Sequence, residues 1–174
     1  MKKYKRISFK GWAIIRLMRL VALIFLTALN SFALEGKVIR VADGDTLTVL
    51  THGERRVKIR LQGIDAPEYK QAYGKQSGHV LRKKVNGKRV RIQENGEDRY
   101  GRTLGDVYFG ERWINLEMVQ EGWAWHYKKY SKDKLLARAE IEARKSKRGL
   151  WAGSNPVSPW ESKKTGTETY VPVP

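Results

Sequence analysis

From Gly36 onward the chain alternates apolar and polar residues with a period of two, as half-buried strands do. Residues 38–41 lead into an Asp-Gly turn and residues 46–50 into a His-Gly turn, while residues 56–61 alternate basic and apolar side chains. Three short strands joined by tight turns predict an antiparallel meander. The period then lengthens. Within residues 69–85, Val80, Leu81 and Val85 share one helical face, and Asn86 and Gly87 make a stop, although Gly74 and Gly78 weaken the front of the helix. Residues 89–93 and 103–109 return to strand, with a polar loop over 94–102 between them. Two more helices are expected. One covers 114–120, capped by Asn115 and ended by Gly122, and the other covers 135–147, where Leu135, Leu136, Ala139 and Ala143 recur at helical spacing before Gly149.

Three strands, a helix, two strands and two helices suit a partly open barrel with a helix after its third strand. The expected class is therefore α+β, mainly β: a five-stranded OB-fold barrel with three helices. Its domain spans residues 34–153. From Ser154 to Pro174 periodicity stops and Pro, Ser, Thr and Gly dominate, so this stretch reads as a disordered tail. No internal repeat is present.

The first 33 residues follow other rules. A basic start precedes an apolar run from Leu20 to Leu29, and Ser31, Phe32 and Ala33 form a small-x-small cleavage pattern. A spanning helix wants about 20 apolar residues, and this run is shorter. Residues 1–33 are therefore expected to be a signal peptide cleaved after Ala33, with an uncleaved membrane anchor as the alternative. Either way the folded part lies outside the cytoplasm, periplasmic or secreted. The chain has no cysteine, so its core must hold without disulfides.

Charge narrows the partners. The formal net charge is +17; seven of the 35 cations precede residue 34 with no acid among them, so the body keeps 28 against 18 acids. A basic body attracts polyanions, nucleic acid before anionic envelope polymers.

Against that background a few acids and arginines stand out. Asp43 and Asp45 flank Gly44 at a strand turn, and Asp65 and Glu68 flank Ala66 and Pro67 where the third strand ends. Each alone reads as structure: Asp-Gly is a common turn, and Glu68 suits the start of a helix. Together they bring oxygen ligands from two neighbouring strands toward one point. Clustered carboxylates repel, and a hard cation such as Ca²⁺ or Mg²⁺ relieves that repulsion; without His or Cys in the set, zinc is disfavoured. The spacing is not that of an EF-hand loop. Arg60, five residues before Asp65, and Arg102, at the start of the fifth strand, could each grip a phosphate in a bidentate fork. Arg60 could equally pair with Asp65 or Glu68.

The order Asp43-Gly44-Asp45-Thr46, then Arg60 with Asp65, Pro67 and Glu68, then Tyr100-Gly101-Arg102 with Leu104, resembles the staphylococcal nuclease (thermonuclease) family. The likeness continues through residues 115–122 and 139–151 and covers roughly residues 36–151. It implies an OB-barrel with helices and a calcium-dependent, sugar-nonspecific endonuclease. Such an enzyme hydrolyses the P–O5′ bond of single-stranded or frayed DNA and of RNA and leaves 3′-phosphates.

By the same resemblance Asp45 and Asp65 would bind Ca²⁺ directly, helped by the backbone carbonyl of Ala66, with Asp43 as a supporting acid. Glu68 would be the general base on the attacking water, or would at least position it. Arg60 and Arg102 would hold the scissile phosphate, Arg102 also stabilising the leaving oxygen. Arg99 and Tyr100 would contact a terminal phosphate, and Tyr127 and Tyr130 would line the nucleotide pocket. There the chain departs from the family, because one family tyrosine falls at Lys128. Trp123, Trp125 and Trp151 read as core packing rather than stacking platforms, and His126 as structural or surface rather than catalytic.

The leading expectation is thus an exported, monomeric nuclease. The alternative is a non-catalytic OB-type module that binds nucleic acid or protein. That module has no need to keep Asp45, Arg60, Asp65, Glu68 and Arg102 together, and all five are present.

Overall fold

A computed structural model describes residues 34–165. The expected signal peptide over 1–33 and the end of the expected tail over 166–174 lie outside the described residues.

Strands β1 (Leu34–Val41), β2 (Thr46–Thr51) and β3 (Arg56–Leu61) form the antiparallel meander that the alternation predicts. Their inward residues Val38, Val41, Leu47, Val49, Ile59 and Leu61 are all buried. Val38 and Val41 are three apart, not two. Both can face inward because the β1–β2 register shifts between Val38 and Arg40, a bulge that re-aims the strand. After the two-residue β4 (Ile64–Asp65) comes helix α1 (Gly74–Val85), then β5 (Arg89–Glu97) and β6 (Thr103–Phe109) as a second antiparallel pair. β5 runs beside β1, and β3 pairs in parallel with β6 through Ile59↔Thr103, Arg60↔Leu104 and Leu61↔Gly105. That last pairing closes β1, β2, β3, β5 and β6 into a five-stranded barrel, an OB-type α+β fold as expected. Gly105 sits at the closure, where a Cβ would lie 2.5 Å from Ile92 Cγ2.

Beyond the barrel, β7 (Arg112–Trp113) leads into α2 (Ile114–Gln120), and β8 (Trp125–His126) pairs antiparallel with β4. Helix α3 (Lys134–Lys145) follows, its N-terminus capped by the Asp133 carboxylate, which accepts from the backbone N–H groups of Leu135 and Leu136. A 3₁₀ turn (Gly149–Ala152) and a fourth helix, α4 (Pro159–Thr165), complete the described chain. The barrel interior is continuous with the apolar faces of α1, α2 and α3 through Leu81, Val85, Met118, Val119 and Leu136. Each fully buried side chain of this kind contributes about 1.5–3 kcal/mol, which is how the fold holds without a disulfide.

Several expectations need correction. Helix α1 begins at Gly74 rather than at residue 69, because Tyr73 before it adopts a left-handed conformation (φ 64°) that ends the preceding turn. β5 extends through Glu97, so the polar loop is shorter than expected. α3 ends at Lys145, and Lys147 turns left-handed. Asn115 does not cap α2. It is buried, accepts from Val107 N (2.9 Å) and donates to Gln62 O (3.0 Å) and Gly105 O (3.1 Å), tying α2 to the barrel. Structure also continues past Ser154: α4 is a fourth helix where a disordered tail was expected, and its Trp160 stacks on Tyr127 at 5.1 Å with rings 3° apart.

Candidate active site

The turn between β1 and β2 carries Asp43, Gly44 and Asp45 and is folded by its own acid: Asp43 Oδ1 accepts from Asp45 N at 3.0 Å. Glycine is required between the two acids by close approach. A Cβ on Gly44 would collide with Ser77 Oγ of α1 and lie 2.7 Å from the Ala66 Cβ. Gly78 of α1 faces the Asp43 backbone, and a Cβ on Gly74 would collide with the Glu68 carbonyl. The glycines that weaken the front of α1 as a helix therefore let it lie flat against both acidic segments.

That packing directs two carboxylates inward. Asp45 is 5% exposed and Asp65 6% exposed. Asp45 Oδ2 accepts from Ala66 N at 2.6 Å, and its Oδ1 accepts from the Thr46 hydroxyl at 3.0 Å. Arg60 on β3 lies between the acids. Its Nε is 3.2 Å from Asp45 Oδ1 and its Nη2 is 2.5 Å from Asp65 Oδ1, while Nη1 donates to the carbonyls of Leu61 and Ile64. The sequence left open whether Arg60 pairs with an acid or faces a phosphate, and here it pairs with both aspartates. Burial pulls the guanidinium toward neutrality, but the charges of Asp45, Asp65, Asp43 and Glu68 outweigh it and hold its pKa above the usual arginine value. For Asp43 the balance runs the other way: burial, then the Asp45 charge, push its carboxyl up to about 7.

Glu68 is exposed, at the rim of this cluster. Its backbone is fixed by Gln71, which accepts from Glu68 N through its side chain and donates its own N–H to Glu68 O, both at 2.8 Å. The Glu68 charge raises both Asp43 and Arg60, so it acts on the same cluster.

Arg102 reaches the group from the other side of the barrel closure. Its Nη1 donates to the Thr46 hydroxyl at 3.3 Å, and that hydroxyl donates to Asp45. Its Nε donates to Asp98 Oδ2 at 2.7 Å, while Asp98 Oδ1 accepts from the backbone N–H groups of Tyr100 and Arg102. Thr46 and Asp98 are neighbours of this cluster that sequence reasoning missed. Thr46 stood in the motif without a role. Asp98 carried a turn signal, an acid three residues before Gly101, but nothing in the sequence tied it to the arginine. Tyr100, 68% exposed, lies between two cations: the guanidinium carbons of Arg99 and Arg102 are 4.8 and 5.6 Å from its ring centre.

The nucleotide-pocket residues divide. Tyr130 is 65% exposed and meets Tyr127 edge-on at 4.8 Å. The other face of Tyr127 is stacked on Trp160, so its ring is part of the packing of α4. Lys128, where the family has a tyrosine, turns back to α3 and pairs with the buried Glu140 at 2.8 Å. His126 is buried on β8, and Trp125 and Trp151 are core residues in edge contact at 5.3 Å.

The donor chemistry fits a hard cation. Asp45, in the β1–β2 turn, and Asp65, at the end of β4, are buried carboxylates that could serve as oxygen ligands, and their mutual repulsion is offset here by Arg60. Among the described residues no three of Asp, Glu, His or Cys form a cage by themselves. The protein side of such a site would be the Asp45 and Asp65 carboxylates, with backbone oxygen and water to complete it.

Residues 58–153 match the family described as Staphylococcal nuclease homologue. An uncharacterized endonuclease of Haemophilus influenzae is 48% identical over 123 residues, covering 71% of this chain and 69% of its own. An uncharacterized endonuclease of Escherichia coli O157:H7 is 44% identical over 142 residues, 81% of this chain and 92% of its own. A staphylococcal-like nuclease of Arabidopsis thaliana is 46% identical over 110 residues, 63% of this chain but only 34% of that longer protein. The chain belongs to the staphylococcal nuclease family.

Proposed function

We propose that this protein is a nuclease that hydrolyses phosphodiester bonds with Ca²⁺, cutting the P–O5′ bond of DNA and RNA without sugar preference and leaving 3′-phosphates. The observation that carries the reading is the run of hydrogen bonds and ion pairs Arg102–Thr46–Asp45–Arg60–Asp65, which sets two arginines and two buried carboxylates within one small volume. Nucleic acid is the substrate, in keeping with the basic body.

In the pentacoordinate transition state the phosphoryl oxygens gain negative charge, and Arg60 and Arg102 supply oriented positive charge on either side of it. Asp45 and Asp65, with the Ala66 carbonyl, would hold the cation and Asp43 would support them. Held there, a cation would add positive charge to the same oxygens. Glu68, exposed at the rim, takes the proton from the attacking water. Arg102, steadied by Asp98, faces the leaving oxygen. Arg99, Tyr100 and Tyr130 meet the rest of the nucleotide, and Tyr127 does so through its contact with Tyr130. Export by cleavage after Ala33 and action as a monomer in the periplasm or medium belong to the same reading; N-terminal sequencing of secreted protein that began at Met1 would contradict the cleavage.

Plasmid DNA and single-stranded RNA are to be incubated with the protein in Ca²⁺, in Mg²⁺ and in EGTA. Cutting of both in Ca²⁺ alone, with 3′-phosphate ends, is expected. Glu68→Ala and Arg102→Ala should each lose about 10²–10³-fold in kcat. Cutting that survives EGTA would sink the calcium dependence, and no cutting at all would favour a binding module.

A further inference from the structure

Strand β3 carries more positive charge than its catalytic arginine accounts for. Side chains two apart on a strand share a face, so Arg56 and Lys58 lie on the face of Arg60. The rise of a strand sets the backbones of successive members of this trio about 6.6–6.8 Å apart, on the order of the spacing between phosphates along an extended single strand. Arg60 is paired with the aspartates here, whereas among the described residues neither the Arg56 nor the Lys58 side chain has an ion-pair or hydrogen-bond partner.

These two cations also border a cleft. β6 begins at Thr103 and pairs with β3 only from Ile59 onward, so the edge of β3 before that point is left open. An open cleft of about 430 Å³ fills the gap, lined by Arg56 and Lys58 on one wall and by Glu94, Glu97 and Gly101 on the other. Gly101 is the residue between Tyr100 and Arg102, so the cleft adjoins the loop that brings Arg102 to the site. A pair of solvated surface charges would explain the exposure of Arg56 and Lys58. It would not explain why both sit on the catalytic face, at a phosphate-like interval, beside a cleft that opens onto the catalytic loop.

We propose that Arg56 and Lys58 form a phosphate-tracking ladder that continues from Arg60 along β3 and holds the backbone of a single-stranded nucleic acid away from the scissile bond. The proposal rests on the nuclease reading and extends it: it names the substrate as a strand several nucleotides long and gives that strand a path. Glu94 and Glu97 on the facing wall repel phosphate and confine the backbone to the β3 side. The contacts are to phosphate, so the ladder carries no base preference.

The test is binding of fluorescein-labelled oligodeoxynucleotides of about 3 and about 12 nucleotides to the full chain in EDTA, by anisotropy across a salt series, with strand integrity checked on a gel. The variants are the double substitution Arg56→Ala with Lys58→Ala, and a control that removes equal charge from β1 and β5, Lys37→Ala with Arg89→Ala. The ladder variant should bind the longer strand about tenfold more weakly, and the slope of log K against log salt should shrink by about 1.4, since each single-strand phosphate contact contributes about 0.7. The control should keep the wild-type slope. Replacing the pair by Arg56→Lys with Lys58→Arg should restore most of the affinity. If the ladder variant matches the wild type in affinity and slope, or the control loses as much, the ladder is wrong while the nuclease reading stands. If the wild type binds neither strand and cuts no nucleic acid, both fall.

Discussion

Arg102 is useful only while it points one way, and Asp98 fixes that direction. One carboxylate oxygen holds the Arg102 side chain, and the other closes the turn through the N–H groups of Tyr100 and Arg102. Burial alone would raise the Asp98 pKa, but these bonds hold it below the usual carboxylate value. Asp98→Ala is therefore expected to lower kcat/KM by about 10–100-fold through misplacement of Arg102, while thermal unfolding shows that the fold persists. An unchanged kcat/KM would mean that Arg102 finds its place without Asp98. That these charged residues meet was readable, because Asp45, Arg60, Asp65 and Arg102 have few other reasons to stand in that order. Residues that aim them were not. Thr46 and Asp98 look like ordinary strand and turn residues until the barrel sets them beside arginines.

At the level of elements, strands were the most legible, since one buried face forces alternation, and the β1 bulge merely spaced two inward residues three apart. Helix boundaries were less so. The start of α1 depends on Tyr73 adopting a left-handed turn and on Gly74 touching the Glu68 carbonyl, and both are tertiary facts. Helix α4 was illegible because seven residues of mixed polarity have no period to read; it stands by packing Trp160 on Tyr127 and edge-on to Trp125. Trp160→Ala should cost about 1–3 kcal/mol, from lost burial and a lost aromatic pair, and should lower the urea midpoint measured by fluorescence. A midpoint identical to the wild type would show α4 to be ornamental to stability. The base pocket was only half legible: the sequence showed a lysine at a family tyrosine position but not that Glu140 draws it away.

For the whole molecule, Glu117 joins three elements. It takes Arg112 from β7 at 2.6 Å and Lys84 from α1 at 2.8 Å while sitting on α2. The hydrogen bond from Arg112 holds the Glu117 carboxyl below its ordinary value. A carboxyl depressed by folding adds stability that is fully present above its unfolded pKa and is lost as pH falls through the folded one. The acid side of the stability curve, below about pH 4.5, should therefore be less steep in Glu117→Gln than in the wild type, with melting temperatures read across that range. Equal slopes would assign the acid sensitivity to other carboxyls. The same scale gives the barrel closure a second meaning. Only the parallel contact of β3 with β6 shuts the barrel, and the two arginines stand on opposite sides of that seam, Arg60 on β3 and Arg102 just before Thr103 of β6. A chain with its meander formed but its seam open would carry Arg60 and Asp45 without Arg102 beside them. Closing the barrel and bringing the two arginines to one cluster are therefore a single event of folding.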